Sequence, residues 1–144
     1  MPRAEVSMII RAPQTRVAAL YRDYRNWPKL FPATIREVRL VKAEPPRTVL
    51  EIVHREGIVP NIMTEVTPGR IDLWEAKRLF DGTFINRFEP APEGTRYTVS
   101  ADIALKKSLK LLGPFLGWYI RRQIIRYVLE PMRQAAERTD VPEP

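Results

Sequence analysis

Cysteine is absent from the chain, and histidine occurs once, at His54. The first absence excludes a disulfide framework, a thiol nucleophile and a thiolate metal site. One imidazole without thiols does not make a zinc ligand set. Neither a Ser-His-Asp arrangement nor a suggestive pair of carboxylates stands out. No metal and no cofactor are therefore expected. Long hydrophobic runs are missing too. The longest, residues 111–120, is roughly half of the ~20 residues a membrane-spanning helix needs. The opening MPRAEVSMII has too short an apolar stretch for a signal peptide and carries Glu5 just before it, so a cytoplasmic protein is expected. Acidic residues are the minority, 17 against 24 lysines and arginines, for a net charge of +7. That balance admits an anionic lipid surface, an acidic partner, nucleic acid or solubility alone. Nucleic acid is not expected, because no RNA-binding signature or groove-reading element is present.

What the chain does have is regular punctuation. Glycine is scarce, yet four of the six fall in evenly spaced turn signals that also include Pro45-Pro46. These signals are Glu56-Gly57, Pro68-Gly69, Asp81-Gly82 and Glu93-Gly94. The segments between them are rich in β-branched, aromatic and alternating residues, which predicts an antiparallel meander. Strands are expected over 34–43, 47–56, 59–67, 70–78, 83–89 and 95–105, with another at 4–11. Two short helices, near 13–25 and 27–31, separate the first strand from the rest. The chain is short enough for a single domain, 1–138, with 139–144 as a tail.

The last element, Gly113 to Arg138, reads as a long helix opened by Gly113-Pro114. Its second half is amphipathic, with Ile124, Ile125, Val128, Leu129, Met132, Ala135 and Ala136 on one broad face. Arg126/Glu130 and Arg133/Glu137 are spaced as ion pairs on the other. Pro131 should bend this half. The first half leaves no polar face, because Leu111, Leu112, Phe115, Leu116, Trp118, Tyr119 and Ile120 point all round. The fold class is α+β: a curved antiparallel sheet of six or seven strands wrapped around a long C-terminal helix.

Several stretches resemble the START-like, or helix-grip, superfamily, which includes polyketide cyclases and coenzyme Q-binding proteins. They are VSMIIRAPQTRV, DYRNWPKLFP with Ile35, Val38 and Leu40 after it, and Pro68-Gly69-Arg70-Ile71. DGTFINRFEP with its Glu93-Gly94-Thr95 hairpin and the terminal Ala136-Glu137 complete the set. The resemblance covers essentially the whole chain, at framework positions rather than catalytic ones. It implies a deep apolar cavity between sheet and helix, used across the superfamily for lipids, isoprenoids, polyketides and hormones. Some relatives are enzymes and many only bind or carry.

Strand alternation nominates the lining. Leu50, Ile52 and His54 share one face; Ile58, Pro60, Ile62, Thr64 and Val66 are expected inward on the next strand. Phe84, Asn86 and Phe88, then Tyr97, Val99, Ala101, Ile103 and Leu105, continue the surface. The strand between is ambiguous, with Ile71/Leu73 on one face and Trp74/Ala76 on the other. The candidate ligand-binding set is His54, Ile62, Thr64, Phe84, Asn86, Phe88, Tyr97 and Val99, joined by Leu112, Leu116, Tyr119 and Ile120 from the helix. An apolar small molecule is the expected partner. The alternative is an aromatase/cyclase-type enzyme in which His54 or Tyr97 moves protons. Against that, His54 fits equally a histidine satisfied by backbone near a hairpin end, and Asn86 and Tyr97 fit hydrogen bonds within the core. A third class is a docking protein for a membrane surface or a ribosome-like partner. Its candidate surface is Lys106, Lys107, Lys110, Phe115, Trp118, Arg121 and Arg122, in a stretch with no acidic residue from Ile103 to Leu129.

Overall fold

The regular punctuation resolves into one antiparallel sheet. The computed structural model describes residues 3–55, 57–77, 80–105 and 113–138. After β1 (Arg3–Ile10) come α1 (Gln14–Arg22), a 3-10 turn (Tyr24–Asn26) and α2 (Trp27–Leu30). The meander is β2 (Ile35–Glu44), β3 (Arg47–His54), β4 (Gly57–Thr67), β5 (Arg70–Ala76), β6 (Phe80–Ala91) and β7 (Gly94–Leu105). A helical run follows, made of α3 (Gly113–Ile124), a π-helical turn (Ile125–Leu129) and α4 (Glu130–Glu137). The strand order is β1-β7-β6-β5-β4-β3-β2, so β1 closes the meander beside β7. This is the helix-grip architecture, with bulges in β2 and β4 adding local bend and twist.

Local chemistry explains the elements. In β1, Ala4, Val6 and Ile10 are buried and Met8 packs partly buried against the core, while Glu5, Ser7 and Ile9 between them are exposed. Pro13 is extended and its carbonyl accepts from Arg16 and Val17 N–H, which starts α1 without a side-chain cap. α1 buries Val17, Ala18 and Tyr21. Trp27 is locked beneath it, its indole N–H donating to the Tyr21 carbonyl at 2.9 Å. Near the chain end, Leu129, Met132 and Ala136 are buried, and α4 packs on α1, α2 and β1.

Pro131 has the effect its missing N–H requires. It has no proton for the Tyr127 carbonyl, and its ring would collide with that carbonyl in a regular α-helix. The turn before it widens instead, and Glu130 N–H reaches back five residues to the Ile125 carbonyl. Ile125, expected on the buried face, is exposed. The two expected four-apart ion pairs are replaced: Arg133 bonds Glu130 at 2.6 Å, and Glu137 accepts from Arg11 N–H at 2.9 Å. Arg126 lies over the Tyr127 ring instead.

Two strand expectations are also corrected. Asp81-Gly82 is not a turn but lies inside β6, where Gly82 pairs with both Glu75 and Ile103. A Cβ at Gly82 would come within 3.0 Å of the Phe84 ring and 3.1 Å of Ile103 Cδ1. Glycine serves close packing here, not a bend. In β4 the inward parity is the reverse of that expected. Asn61 and Met63 are buried, while Ile58, Pro60 and Val66 are exposed and Ile62 and Thr64 share their outer side. Register decides this, because Asn61 pairs with the buried Leu50 whereas Ile62 pairs with Val49.

Candidate functional site

The inner face of the sheet can be followed strand by strand. One row runs Leu50, Asn61, Glu75, Gly82, Ile103, each residue register-paired with the next. The row beside it runs Thr48, Met63, Leu73, Phe84, Ala101. A third joins Ile71, Asn86, Val99 and Val6. Inner positions are mainly apolar, so each polar side chain among them needs a partner or a purpose.

One polar group is fully engaged. Asn86 Nδ2 donates to Tyr21 Oη at 3.1 Å and to the Ile71 and Phe84 carbonyls at 3.2 and 3.3 Å. Tyr97 Oη donates to Asn86 Oδ1. Phe88 stacks on Tyr97 with ring centroids 4.7 Å apart. Burial pushes both tyrosine hydroxyls well above their ordinary pKa of 10.0; the Asn86 hydrogen bond partly offsets this at Tyr21. The trio therefore fastens α1 to β6 and β7 in its neutral form. Asn86 and Tyr97, nominated as ligand-orienting groups, spend their hydrogen bonds on this fastening. Phe88 and Val99 lie with them in the packed core.

A second polar group is only partly engaged. Asn61 is fully buried and Glu75 nearly so, facing each other across β4 and β5. Asn61 Nδ2 donates to the Val59 carbonyl at 3.1 Å, while its Oδ1 has no hydrogen-bond partner. The Glu75 carboxylate meets Lys77 Nζ at 3.5 Å. Neither residue was among the sequence candidates. Asn61 was hidden by the parity error in β4. Glu75 had a signal, lying at even spacing from Ile71 and Leu73, the face the structure buries.

The other candidates separate by place. His54 is half-buried at the end of β3, and its Nδ1 lies 2.9 Å from the Thr34 carbonyl. A carbonyl only accepts, so this bond places the proton on Nδ1. Phe84, Leu116 and Ile120 are half-buried, with Phe84 and Ile120 against the core. Ile62 and Thr64 are on the outer face, for the register reason above, and Tyr119 is exposed on the helical run, where it lines a surface hollow with Trp118 and Ile125 rather than the inner sheet face. Leu112, Lys106, Lys107 and Lys110 lie outside the described residues. On α3, Phe115, Trp118 and Tyr119 are 76%, 64% and 54% exposed, and Arg121 and Arg122 are exposed beside them. The Arg122 guanidinium sits 4.9 Å from the Trp118 ring centroid. Among the described residues there is no cluster of metal-ligating side chains, and no helix is long and apolar enough to cross a membrane.

Known proteins agree with this geometry. The di-domain aromatase/cyclase StfQ of the steffimycin biosynthetic pathway is similar, with a TM-score of 0.77 at 15% identity; the match covers 94% of this chain and 50% of that one. A Streptomyces aromatase/cyclase matches with a TM-score of 0.74 at 14% identity, over 94% of this chain and 93% of its own. A START superfamily protein from Mycobacterium smegmatis gives 0.73 at 13% identity, over 94% and 97%. At these identities the likeness is one of fold. No curated protein matches the sequence. The family described as polyketide cyclase/dehydrase and lipid transport matches residues 1–138. That match spans nearly the whole chain, and the protein belongs to the polyketide cyclase/dehydrase and lipid transport family.

Proposed function

We propose that the protein binds or carries an apolar small molecule, of lipid, isoprenoid or polyketide type, between the inner sheet face and the helical run. The observation that carries this reading is the Leu50-Asn61-Glu75-Gly82-Ile103 row. It puts an unmet buried acceptor into an apolar wall, at a cost of roughly 1–3 kcal/mol that a ligand would recover. Native mass spectrometry of the purified protein, followed by organic extraction, is the test. A bound apolar species that is released on denaturation is the expected result. A bare mass, together with no uptake of apolar fluorophores, would count against the reading. The aromatase/cyclase alternative rests on His54 more than on Tyr97, whose hydroxyl is held protonated and bonded to Asn86. A carrier keeps its ligand in His54→Ala; a cyclase binds in that variant but loses turnover.

A second observation favours contact with an anionic membrane at α3. Phe115, Trp118 and Tyr119 stand in solvent with Arg121, Arg122 and Arg126 beside them. Aromatic rings suit the headgroup boundary and guanidinium groups pair with lipid phosphates. At ~1 kcal/mol per cation, three arginines favour anionic over neutral vesicles by on the order of 100-fold. Flotation with phosphatidylglycerol against phosphatidylcholine vesicles reads this directly. Equal flotation on both, or no loss in Phe115→Ala/Trp118→Ala, rejects the contact.

A further inference from the structure

We infer that the hollow on the helical run seats one lipid headgroup of phosphomonoester type, as in phosphatidic acid; the inference rests on the membrane contact proposed above. The hollow has a volume of about 370 Å³ and is lined by Trp118, Tyr119, Arg122, Gln123, Ile125 and Arg126. No carboxylate is among these residues, and the sequence holds no acidic residue from Ile103 to Leu129. Arg133 further along is paired with Glu130, whereas Arg122 and Arg126 form no ion pair among the described residues. Each is held against a ring instead, Arg122 at 4.9 Å from the Trp118 centroid and Arg126 at 5.4 Å from that of Tyr127. A guanidinium held over a ring keeps its in-plane N–H donors for an anion.

Charge narrows the choice. Arg122 and Arg126 are four residues apart, so two like charges repel across one turn with no counter-charge in the lining. An anion between them relieves that repulsion. A phosphomonoester brings about 1.5 to 2 negative charges and three acceptor oxygens, where a phosphodiester brings a single charge. Tyr119 and Gln123 add hydroxyl and amide donors to the same lining. The apolar neighbours point to a lipid as its source. Phe115, Trp118 and Ile125 are exposed; a soluble phosphate would leave them in water, whereas a lipid takes them into the headgroup boundary. A second copy of this chain seated on the same patch would set Arg121, Arg122 and Arg126 against their own kind.

Phosphatidylcholine vesicles containing phosphatidic acid or phosphatidylglycerol, matched for surface charge, make the test, with binding of the full chain read by flotation. The protein is expected to bind the phosphatidic acid vesicles about ten-fold more tightly. Arg122→Gln and Arg126→Gln should each cut that preference to about two-fold or less. Arg121 is exposed but outside the hollow, so Arg121→Gln should weaken both lipids alike and keep the preference. A thermal melt of each variant verifies folding. Equal binding to the two anionic vesicles, an undiminished preference in Arg122→Gln and Arg126→Gln, or a preference that Arg121→Gln removes as fully, overturns the inference and leaves the membrane contact intact. Flotation no better on either than on phosphatidylcholine alone removes both and passes the patch to an acidic protein partner.

Discussion

Replacing Gly94 by alanine is expected to lower the unfolding free energy by about 3 kcal/mol or more. Gly94 opens β7 with φ at +144°, a backbone conformation that side chains resist. The position is also crowded by backbone rather than by yielding side chains. A Cβ there would meet the Ile10 carbonyl, lie 2.8 Å from Ala12 N and 2.9 Å from Ala12 O. This corner joins β1, the entry to α1 and the β6–β7 hairpin, and Thr95 Oγ1 already bonds the Ala12 carbonyl across it at 2.7 Å. Gly57 supplies the control. Its φ is +141°, but nothing lies within 4 Å of a Cβ placed there. Gly57→Ala should cost only the conformational part, about 1 kcal/mol. Urea unfolding of both variants separates the two contributions. If Gly94→Ala costs no more than Gly57→Ala, the crowded corner is not a constraint.

The same turn signals show how far the sequence could be read. Proline and glycine pairs set strand ends well wherever a turn needed them, and the bounds of β3, β5 and β7 fall within two residues of expectation. Asp81-Gly82 misled because a glycine wanted for packing under Phe80 and Phe84 looks identical to one wanted for a bend. In β4 both faces carry apolar residues, so alternation alone could not choose between them. The choice came from pairing with Leu50 and Glu75, a nonlocal fact. That parity is what concealed the buried Asn61. The helix was legible in its second half, where Leu129, Met132 and Ala136 are buried. The first half gave no clue to which of its apolar residues would turn outward, and Phe115, Trp118 and Tyr119 did.

Asn86→Leu should be the other costly substitution, at about 4 kcal/mol, because its loss strands several groups at once. Without the amide, the Tyr21 and Tyr97 hydroxyls and the Ile71 carbonyl lose partners inside the core. Each unsatisfied buried group costs about 1–3 kcal/mol, and leucine cannot supply any of the bonds. Tyr97→Phe removes one hydroxyl and leaves only Asn86 Oδ1 short, so about 1–2 kcal/mol is expected. The two tyrosines also give the fold a pH limit with a definite sign. Burial raises their folded pKa above the ordinary 10.0, so the folded chain holds protons that the unfolded chain has released. Their contribution is complete below pH 10 and declines as pH rises above it, by up to about 1.4 kcal/mol per pH unit for each tyrosine. Unfolding free energies measured from pH 9 to 11 should therefore fall less steeply in Tyr97→Phe than in the parent chain. Parallel slopes would mean that Tyr97 titrates as freely folded as unfolded, which its burial beneath α1 and its bond to Asn86 do not allow.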